Sequence, residues 1–169
     1  MARINRTVCQ NVPEGKYITF FLAHLDPASG RLCYVNAGHN PPLLLRADGS
    51  TEKLEEGGMV LGLMESVPYA DGETLLRPGD VLLVFSDGVT ETWSPQDTEF
   101  GEEGLLVVGR RSTQLSAAAI ESEILRELET FAAGGPATDD RTLIVLKRDV
   151  VPAGDDTAPT LERPISLGG

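Results

Sequence analysis

The stretch that decides the fold is GDVLLVFSDGVTETW, residues 79–93. It contains an apolar run, residues 81–85, with the length and composition of a buried strand. The run stops at Asp87, so this strand carries a carboxylate at its own end. Gly88 follows directly, and glycine permits both a sharp turn and a close approach to the backbone. The stretch therefore predicts a buried strand that ends at a turn carrying a carboxylate.

A second acidic feature lies at the start of another predicted strand. Asp139 and Asp140 directly precede the apolar run TLIVL, residues 142–146. If the two strands are antiparallel neighbours, Asp87 and Asp139 lie at the same rim of the sheet. Crowded carboxylates repel one another unless cations occupy the cluster, and oxygen ligands without histidine or thiolate favour Mg²⁺ or Mn²⁺. Asp-Gly and Asp-Asp are also common turn sequences, so this pattern alone leaves a purely structural role open.

The remaining sequence predicts many strands, then two helices, then one last strand. The predicted strands are 17–25 and 31–37 around the turn DPASG, 43–46, two strands within 69–87 joined by the turn RPGD, and 142–147. The segment MVLGL at 59–63 is short and is expected to be buried. The predicted helices are 100–111 and 116–133. Strands joined by hairpins predict a mostly antiparallel sheet and hence an α+β fold. Residues 1–150 are expected to form one domain, and residues 151–169 predict a disordered tail.

Composition excludes several classes of function. The chain has 169 residues and a formal net charge of −12, which disfavours nucleic acid as a partner. No apolar stretch has the length of a membrane span, and the first residues lack the apolar core of a signal peptide, so we expect a cytoplasmic protein with no membrane contact. Cys9 and Cys33 form neither a close-spaced metal pair nor a disulfide framework, and are expected to be reduced.

Three motifs, in order, resemble a known family. NAGHNPPLLL at 36–45, FSDGVTE at 85–91 and TDDRTLIVL at 138–146 are similar to motifs of the PPM-type metal-dependent serine/threonine protein phosphatases. The resemblance is strongest to their bacterial SpoIIE-like branch, which regulates sigma factors and anti-sigma-factor antagonists. It covers roughly Tyr17 to Arg148. It implies a sandwich of two mostly antiparallel β-sheets flanked by helices, with two Mn²⁺ or Mg²⁺ ions at one end.

The resemblance also implies roles for individual residues. Asp87 and Asp139 would be metal ligands, with Asp140 ranked below Asp139, and Gly88 would let the chain turn beneath the metals. Metal-activated water would remove phosphate from phosphoserine or phosphothreonine of a protein substrate, such as an anti-sigma-factor antagonist. No catalytic residue beyond the metal ligands is implied, and no covalent phosphoenzyme forms.

One motif of the family has no counterpart here. PPM phosphatases carry an earlier Asp-rich strand and a D-x-S/G-G-H/K-G turn whose aspartate bridges the metals, and nothing similar precedes Tyr17. By this comparison the sequence lacks the N-terminal strands and most of the first helical layer, and residues 1–15 resemble only the end of a helix. Exposed sheet edges would then favour pairing between chains, as in a homodimer. The alternative function is a catalytically incompetent fragment or pseudophosphatase that acts as a regulatory protein-binding module.

Two further residues adjoin the predicted site. His39 lies in a loop broken by glycine and proline, and we interpret it as a residue that ties this loop together by hydrogen bonds. Arg141 would either steady a phosphate or offset Asp140, and we favour the second role. A phosphoacceptor receiver domain also places an aspartate after an apolar strand. Its parallel α/β order conflicts with the predicted hairpins and with the late position of the acidic pair.

Overall fold

The computed structural model describes residues 1–135 and 139–150. In these ranges eight strands form two four-stranded sheets, accompanied by four helices. The elements in chain order are α1 (Ala2–Asn11), β1 (Phe20–Leu25), β2 (Arg31–Ala37), β3 (Leu43–Leu45), β4 (Thr51–Lys53), β5 (Gly57–Gly58), β6 (Gly72–Leu75), β7 (Val81–Phe85), α2 (Asp87–Thr90), α3 (Gly101–Ser112), α4 (Ala117–Ala132) and β8 (Leu143–Lys147).

The two sheets are mostly antiparallel, as predicted. In the first sheet β1 and β2 form the expected hairpin, β6 pairs antiparallel with β2, and the short β5 runs parallel to β2. The hairpin turn is stabilised by the carboxylate of Asp26, which accepts hydrogen bonds from Ala28 N and Ser29 Oγ. The second sheet has the order β4-β3-β7-β8 and is antiparallel throughout. The predicted α+β sandwich is therefore confirmed.

The second sheet is buried on both faces. Leu44 and Leu82 point towards the first sheet, whereas Leu43 and Leu83 pack with α3 and α4. Because both faces are buried, the sequences of β3 and β7 are continuous apolar runs and do not alternate between apolar and polar residues. Helix α4 contributes a fully buried stripe of three residues, Ile120, Ile124 and Leu128. Ser116 is the N-cap of this helix, since its Oγ accepts a hydrogen bond from Ala119 N.

A buried ion pair joins the two sheets at the end opposite Asp87. Arg46, directly after β3, donates to the carboxylate of Asp80 at 2.8 Å and to Glu52. The same guanidinium donates to Thr74 Oγ1 and to Leu75 O on the first sheet. Asp80 also accepts hydrogen bonds from backbone N–H groups, so its buried charge is fully compensated.

Two sequence-based expectations were wrong. The segments on either side of the turn RPGD are strands, but β6 belongs to the first sheet and β7 to the second, so they form no hairpin. The turn instead connects the two sheets. Before the turn, Leu76 N donates to Gly30 O in the first sheet's hairpin, and within the turn Gly79 N donates to Arg148 O, next to the end of β8. The segment 59–63, which we expected to be buried, makes an isolated bridge between Ile18 and Leu61 and is buried only in part. Leu61 is buried there, but its apolar neighbours in this segment are largely exposed.

Among the described residues, β1, β4 and β8 each have one edge without a strand partner. Leu22 on the edge strand β1 is 42% exposed, which fits the expected exposure of apolar sheet surface. Pairing between chains stays a prediction. Of the helices in ranges 1–135 and 139–150, none is long and apolar enough to cross a bilayer. The predicted tail at 151–169 lies outside the described residues.

Candidate metal centre

The two acidic features meet at one rim of the second sheet. Strands β7 and β8 are antiparallel neighbours, with Phe85 opposite Leu143. Asp87 therefore follows the end of β7 where Asp139 and Asp140 precede the start of β8. The predicted adjacency of the two strands is confirmed, and the assignment of these carboxylates as metal ligands stays a prediction.

Ser86 connects the end of β7 to the segment that precedes β8 through hydrogen bonds. Its hydroxyl donates to Asp140 O at 3.1 Å and accepts from Thr142 N at 2.9 Å. Its backbone N–H also donates to Thr142 O at 3.0 Å. These three bonds extend the ladder of β7 and β8 beyond the last paired residues and fix Asp87 relative to Asp140. The serine of the SDG sequence thus has a positioning role that the sequence analysis did not assign.

Position 88 requires glycine because the backbone of another segment lies very close to it. The backbone dihedral angles of Gly88 are not the reason. It lies in the short helix α2, and a Cβ atom built on it would lie 2.4 Å from Asp140 O. A Cβ would also lie 3.3 Å from Asp139 O. Any side chain at position 88 would therefore push the Asp139–Asp140 segment away. The sequence analysis expected Gly88 to let the chain turn beneath metals, which stays a prediction; the group that lies against it is the acidic segment preceding β8.

The donor atoms suit a hard divalent cation, but the set is incomplete. The carboxylates of Asp87, Asp139 and Asp140 are exposed, and Asp139 Oδ1 accepts from Asp140 N at 2.7 Å. Oxygen ligands of this kind are typical of Mg²⁺ and Mn²⁺ sites. Within ranges 1–135 and 139–150, no group of three or more His, Cys, Asp or Glu side chains is placed to hold an ion. These carboxylates are therefore candidate ligands only, and their role as metal ligands stays a prediction.

The loop after β2 forms the neighbouring wall, and Asn36 holds it in place. The side chain of Asn36 is buried, and its Oδ1 accepts from His39 N at 2.8 Å. Its Nδ2 donates to His39 O at 3.0 Å and to Leu54 O at 3.2 Å. We expected His39 to tie the loop together, but its imidazole has no hydrogen-bond partner among the described residues. The hydrogen bonds that hold this loop are made by the side chain of Asn36, three residues earlier in the sequence.

His39 lies close enough to Asp87 for the negative charge of this carboxylate to affect the pKa of the imidazole. Burial lowers the pKa of the half-buried imidazole below its ordinary value, and the negative charge of Asp87 acts weakly in the opposite direction. Arg141 is half-buried beside the acidic pair and forms no salt bridge with the part of the chain that the structure describes. It therefore does not offset Asp140 by direct pairing, contrary to our favoured interpretation.

A cavity of about 270 Å³ opens beside Asp87. Its lining residues are Asn40, Pro41, Phe85, Asp87, Thr90, Glu91, Glu99, Gly101 and Glu102. A larger cavity of about 530 Å³ lies over the first sheet, but Asp87 is not part of it. We regard the smaller cavity as the functional one because it adjoins the acidic rim. Asn40 is a lining residue to which the sequence analysis assigned no role.

Comparison with known proteins identifies the family. Residues 1–149 match the family described as Stage II sporulation protein E (SpoIIE). The chain belongs to the SpoIIE family. This match confirms the resemblance to the SpoIIE-like branch of PPM-type phosphatases that the three sequence motifs indicated. The described fold agrees with that assignment.

The chain is similar to proteins whose names describe phosphatases or phosphatase-related domains. It is 32% identical over 158 residues to the phosphoserine phosphatase RsbU of Bacillus subtilis, covering 89% of this chain and 44% of RsbU. The crystal structure of the RsbU and RsbW domains of Rv1364c from Mycobacterium tuberculosis is 27% identical, with a TM-score of 0.66, over 85% of this chain and 40% of that chain. The chain therefore spans less than half the length of both proteins.

A third solved structure is similar in fold. It is the catalytic domain of the serine/threonine protein phosphatase PstP in complex with two manganese ions. The identity is 21% and the TM-score 0.57, over 83% of this chain and 65% of that chain. At this identity the likeness shows the fold alone, and it agrees with the two-sheet architecture described above.

Proposed function

We propose that residues 1–150 form a protein serine/threonine phosphatase domain that uses Mn²⁺ or Mg²⁺. The observation that carries this proposal is the meeting of Asp87 with Asp139 and Asp140 at the β7–β8 rim, in a chain of the SpoIIE family. The names of the similar proteins support it, since one is a phosphoserine phosphatase and another is a phosphatase domain with two manganese ions.

Asp87 and Asp139 would hold the divalent cations, with Asp140 as a further candidate ligand. When bound, such cations lower the pKa of a coordinated water and neutralise negative charge on phosphoryl oxygens. Other residues of the chain hold these carboxylates in position. Ser86 holds Asp87 next to the segment that precedes β8, and Gly88, which has no side chain, lets that segment lie close to α2. The exposed carboxylates would repel a phosphate dianion in the absence of cations, so we expect activity to depend strictly on the metal.

We further propose a phosphoprotein substrate in a sigma-factor pathway, of the kind represented by an anti-sigma-factor antagonist. Two observations support this: the likeness to RsbU, and the occurrence of an RsbU domain together with an RsbW domain in Rv1364c. Because the chain spans less than half of each, partners contributed by other parts of those proteins do not carry over.

One observation favours a second candidate function, a regulatory binding module without catalysis. The described residues provide no group of three or more potential ligand side chains for a cation. Two carboxylates at one rim would bind a cation weakly, and weak binding would leave the domain inactive at ordinary metal concentrations. The two candidates differ in whether Mn²⁺ binds saturably at Asp87.

Calorimetric titration with Mn²⁺, combined with a phosphatase assay on a phosphoserine peptide, tests the proposal. We expect saturable binding and metal-dependent phosphate release by the wild type, and loss of both in Asp87→Asn. Asp149→Asn serves as a matched control, because Asp149 is exposed beyond the opposite end of β8. Phosphate release that Asp87→Asn leaves unchanged would disprove the site assignment. Absence of both Mn²⁺ binding and turnover in the wild type would favour the binding module.

A further inference from the structure

Asn40 differs from every other asparagine of this chain. The sequence contains four asparagines, at positions 5, 11, 36 and 40. The side chain of Asn5 bonds to the backbone of residues 62, 64 and 65, that of Asn11 to Thr7 O, and that of Asn36 to the loop that it holds. The half-buried side chain of Asn40 has no hydrogen-bond partner among the described residues. Its amide is therefore available for a ligand.

Asn40 and Asp87 line the same cavity. Among the side chains lining this cavity, only those of Asn40 and Thr90 can donate a hydrogen bond at neutral pH. The hydroxyl of Thr90 is already engaged with Asp87 O at 3.2 Å. Asn40 is thus the uncommitted side-chain donor in a cavity that is otherwise lined by carboxylates and apolar groups.

The position of Asn40 is fixed before any ligand binds. The preceding residue, His39, is held through both its N–H and its C=O by the buried side chain of Asn36. The two following residues are Pro41 and Pro42, whose rings restrict the backbone. A hydrogen-bond donor on such a constrained loop loses little conformational freedom when a ligand binds. It therefore stabilises the bound ligand more effectively than a donor on a mobile loop does.

We propose that Asn40 is a catalytic residue whose Nδ2–H donates a hydrogen bond to a phosphoryl oxygen of the substrate, beside the cation held at Asp87. This inference rests on the proposed phosphatase function. A phosphoryl dianion entering this cavity meets four carboxylates, those of Asp87, Glu91, Glu99 and Glu102, of which Glu102 is paired with Lys53. A neutral amide donor binds the dianion without attracting a competing carboxylate into a salt bridge.

The test compares Asn40→Ala and Asn40→Asp with the wild type. The matched control is Gln114→Ala, because Gln114 is an exposed amide between α3 and α4 that forms no hydrogen bond with the described residues. Three quantities are measured in Mn²⁺: kcat and KM for p-nitrophenyl phosphate, the inhibition constant of inorganic phosphate, and the calorimetric affinity for Mn²⁺ itself.

For Asn40→Ala we expect kcat/KM to fall by about 10- to 100-fold, the effect of removing one hydrogen bond to a charged group. Inhibition by inorganic phosphate should weaken in parallel, whereas Mn²⁺ affinity should stay unchanged. Asn40→Asp should weaken phosphate inhibition further, because it replaces the donor by a negative charge. Gln114→Ala should match the wild type in all three measurements.

Three outcomes would overturn the inference, each in a distinguishable way. If Asn40→Ala behaves like Gln114→Ala while the wild type turns over, Asn40 does not contact phosphate, and the proposed function stands. If Asn40→Ala weakens Mn²⁺ binding and Asn40→Asp restores it, Asn40 is a metal ligand through Oδ1 instead. If the wild type shows neither turnover nor phosphate inhibition, the proposed function itself is wrong and the role of Asn40 is rejected with it.

Discussion

The contact between Gly88 and the acidic segment gives a prediction whose size follows from the structure. In Gly88→Ala the new Cβ would lie 2.4 Å from Asp140 O, whereas ordinary van der Waals contact begins at 3.4 Å. The backbone of the Asp139–Asp140 segment must therefore retreat by about 1 Å. The helical backbone of residue 88 accepts alanine without strain, so the clash is the dominant effect.

Overpacking against backbone costs about 1–3 kcal/mol, which corresponds to a fall in Tm of roughly 2–12 °C for a domain of this size. The same displacement moves Asp139 and Asp140 relative to Asp87, so Mn²⁺ affinity should fall by more than about tenfold, beyond the loss of stability. Thermal unfolding monitored by circular dichroism and calorimetric Mn²⁺ titration measure the two effects separately.

Gly104→Ala is the matched control for this substitution. It also introduces a methyl group into a helix, but the atoms nearest to its Cβ, at 3.0 Å, belong to the ring of Phe100, a side chain that can adjust. We expect its Tm to change little and its Mn²⁺ affinity to stay that of the wild type. A Gly88→Ala protein with wild-type Tm and wild-type Mn²⁺ affinity would refute the reasoning, because the acidic segment would then not be held against α2.

Three further perturbations test the packing and the loop beside the site. Arg46→Ala should cost about 3–5 kcal/mol in urea unfolding, because it leaves the buried carboxylate of Asp80 without its cation, and a wild-type midpoint would contradict this. Leu128→Ala, at a fully buried position of α4, should cost about 2–5 kcal/mol in the same assay. In the metal-free protein, an NMR titration should find the pKa of His39 below 6.5. Because the folded state resists protonation there, stability should decline as pH falls through 6.5 towards that lower value, and His39→Gln should reduce this slope.

The sequence predicted the elements of this fold better than their assignment to sheets. Apolar runs and turn residues located β1, β2, β7 and β8, and the stripe on α4 was found from its spacing. The turn between β6 and β7 was misleading, because a tight turn is typical of hairpins, and only long-range bonds decide which sheet each strand joins. Such pairing depends on contacts distant in sequence, which local patterns do not encode.

The site was predictable only in part, for a related reason. Asp87 and Asp139 could be placed together because one hypothesis, the antiparallel pairing of two apolar runs, was sufficient. The roles of Asn36 and Ser86 could not be found in this way, because their side chains bond to the backbone of other residues and no charge or motif distinguishes them. Asn40 stands out only when the structure shows that the other asparagines are bonded.

The two aspartates that flank β7 show how the structure separates a structural carboxylate from a candidate functional one. In the sequence Asp80 and Asp87 look equivalent, since each adjoins a glycine at one end of the same apolar run. Asp80 is 1% exposed, and its carboxylate is neutralised by Arg46 and two backbone N–H groups. Asp87 is exposed, and within the described ranges its carboxylate accepts only from Gly88 N and has no salt bridge. A carboxylate compensated inside the fold has no charge left for a cation, so of the two only Asp87 remains a candidate metal ligand.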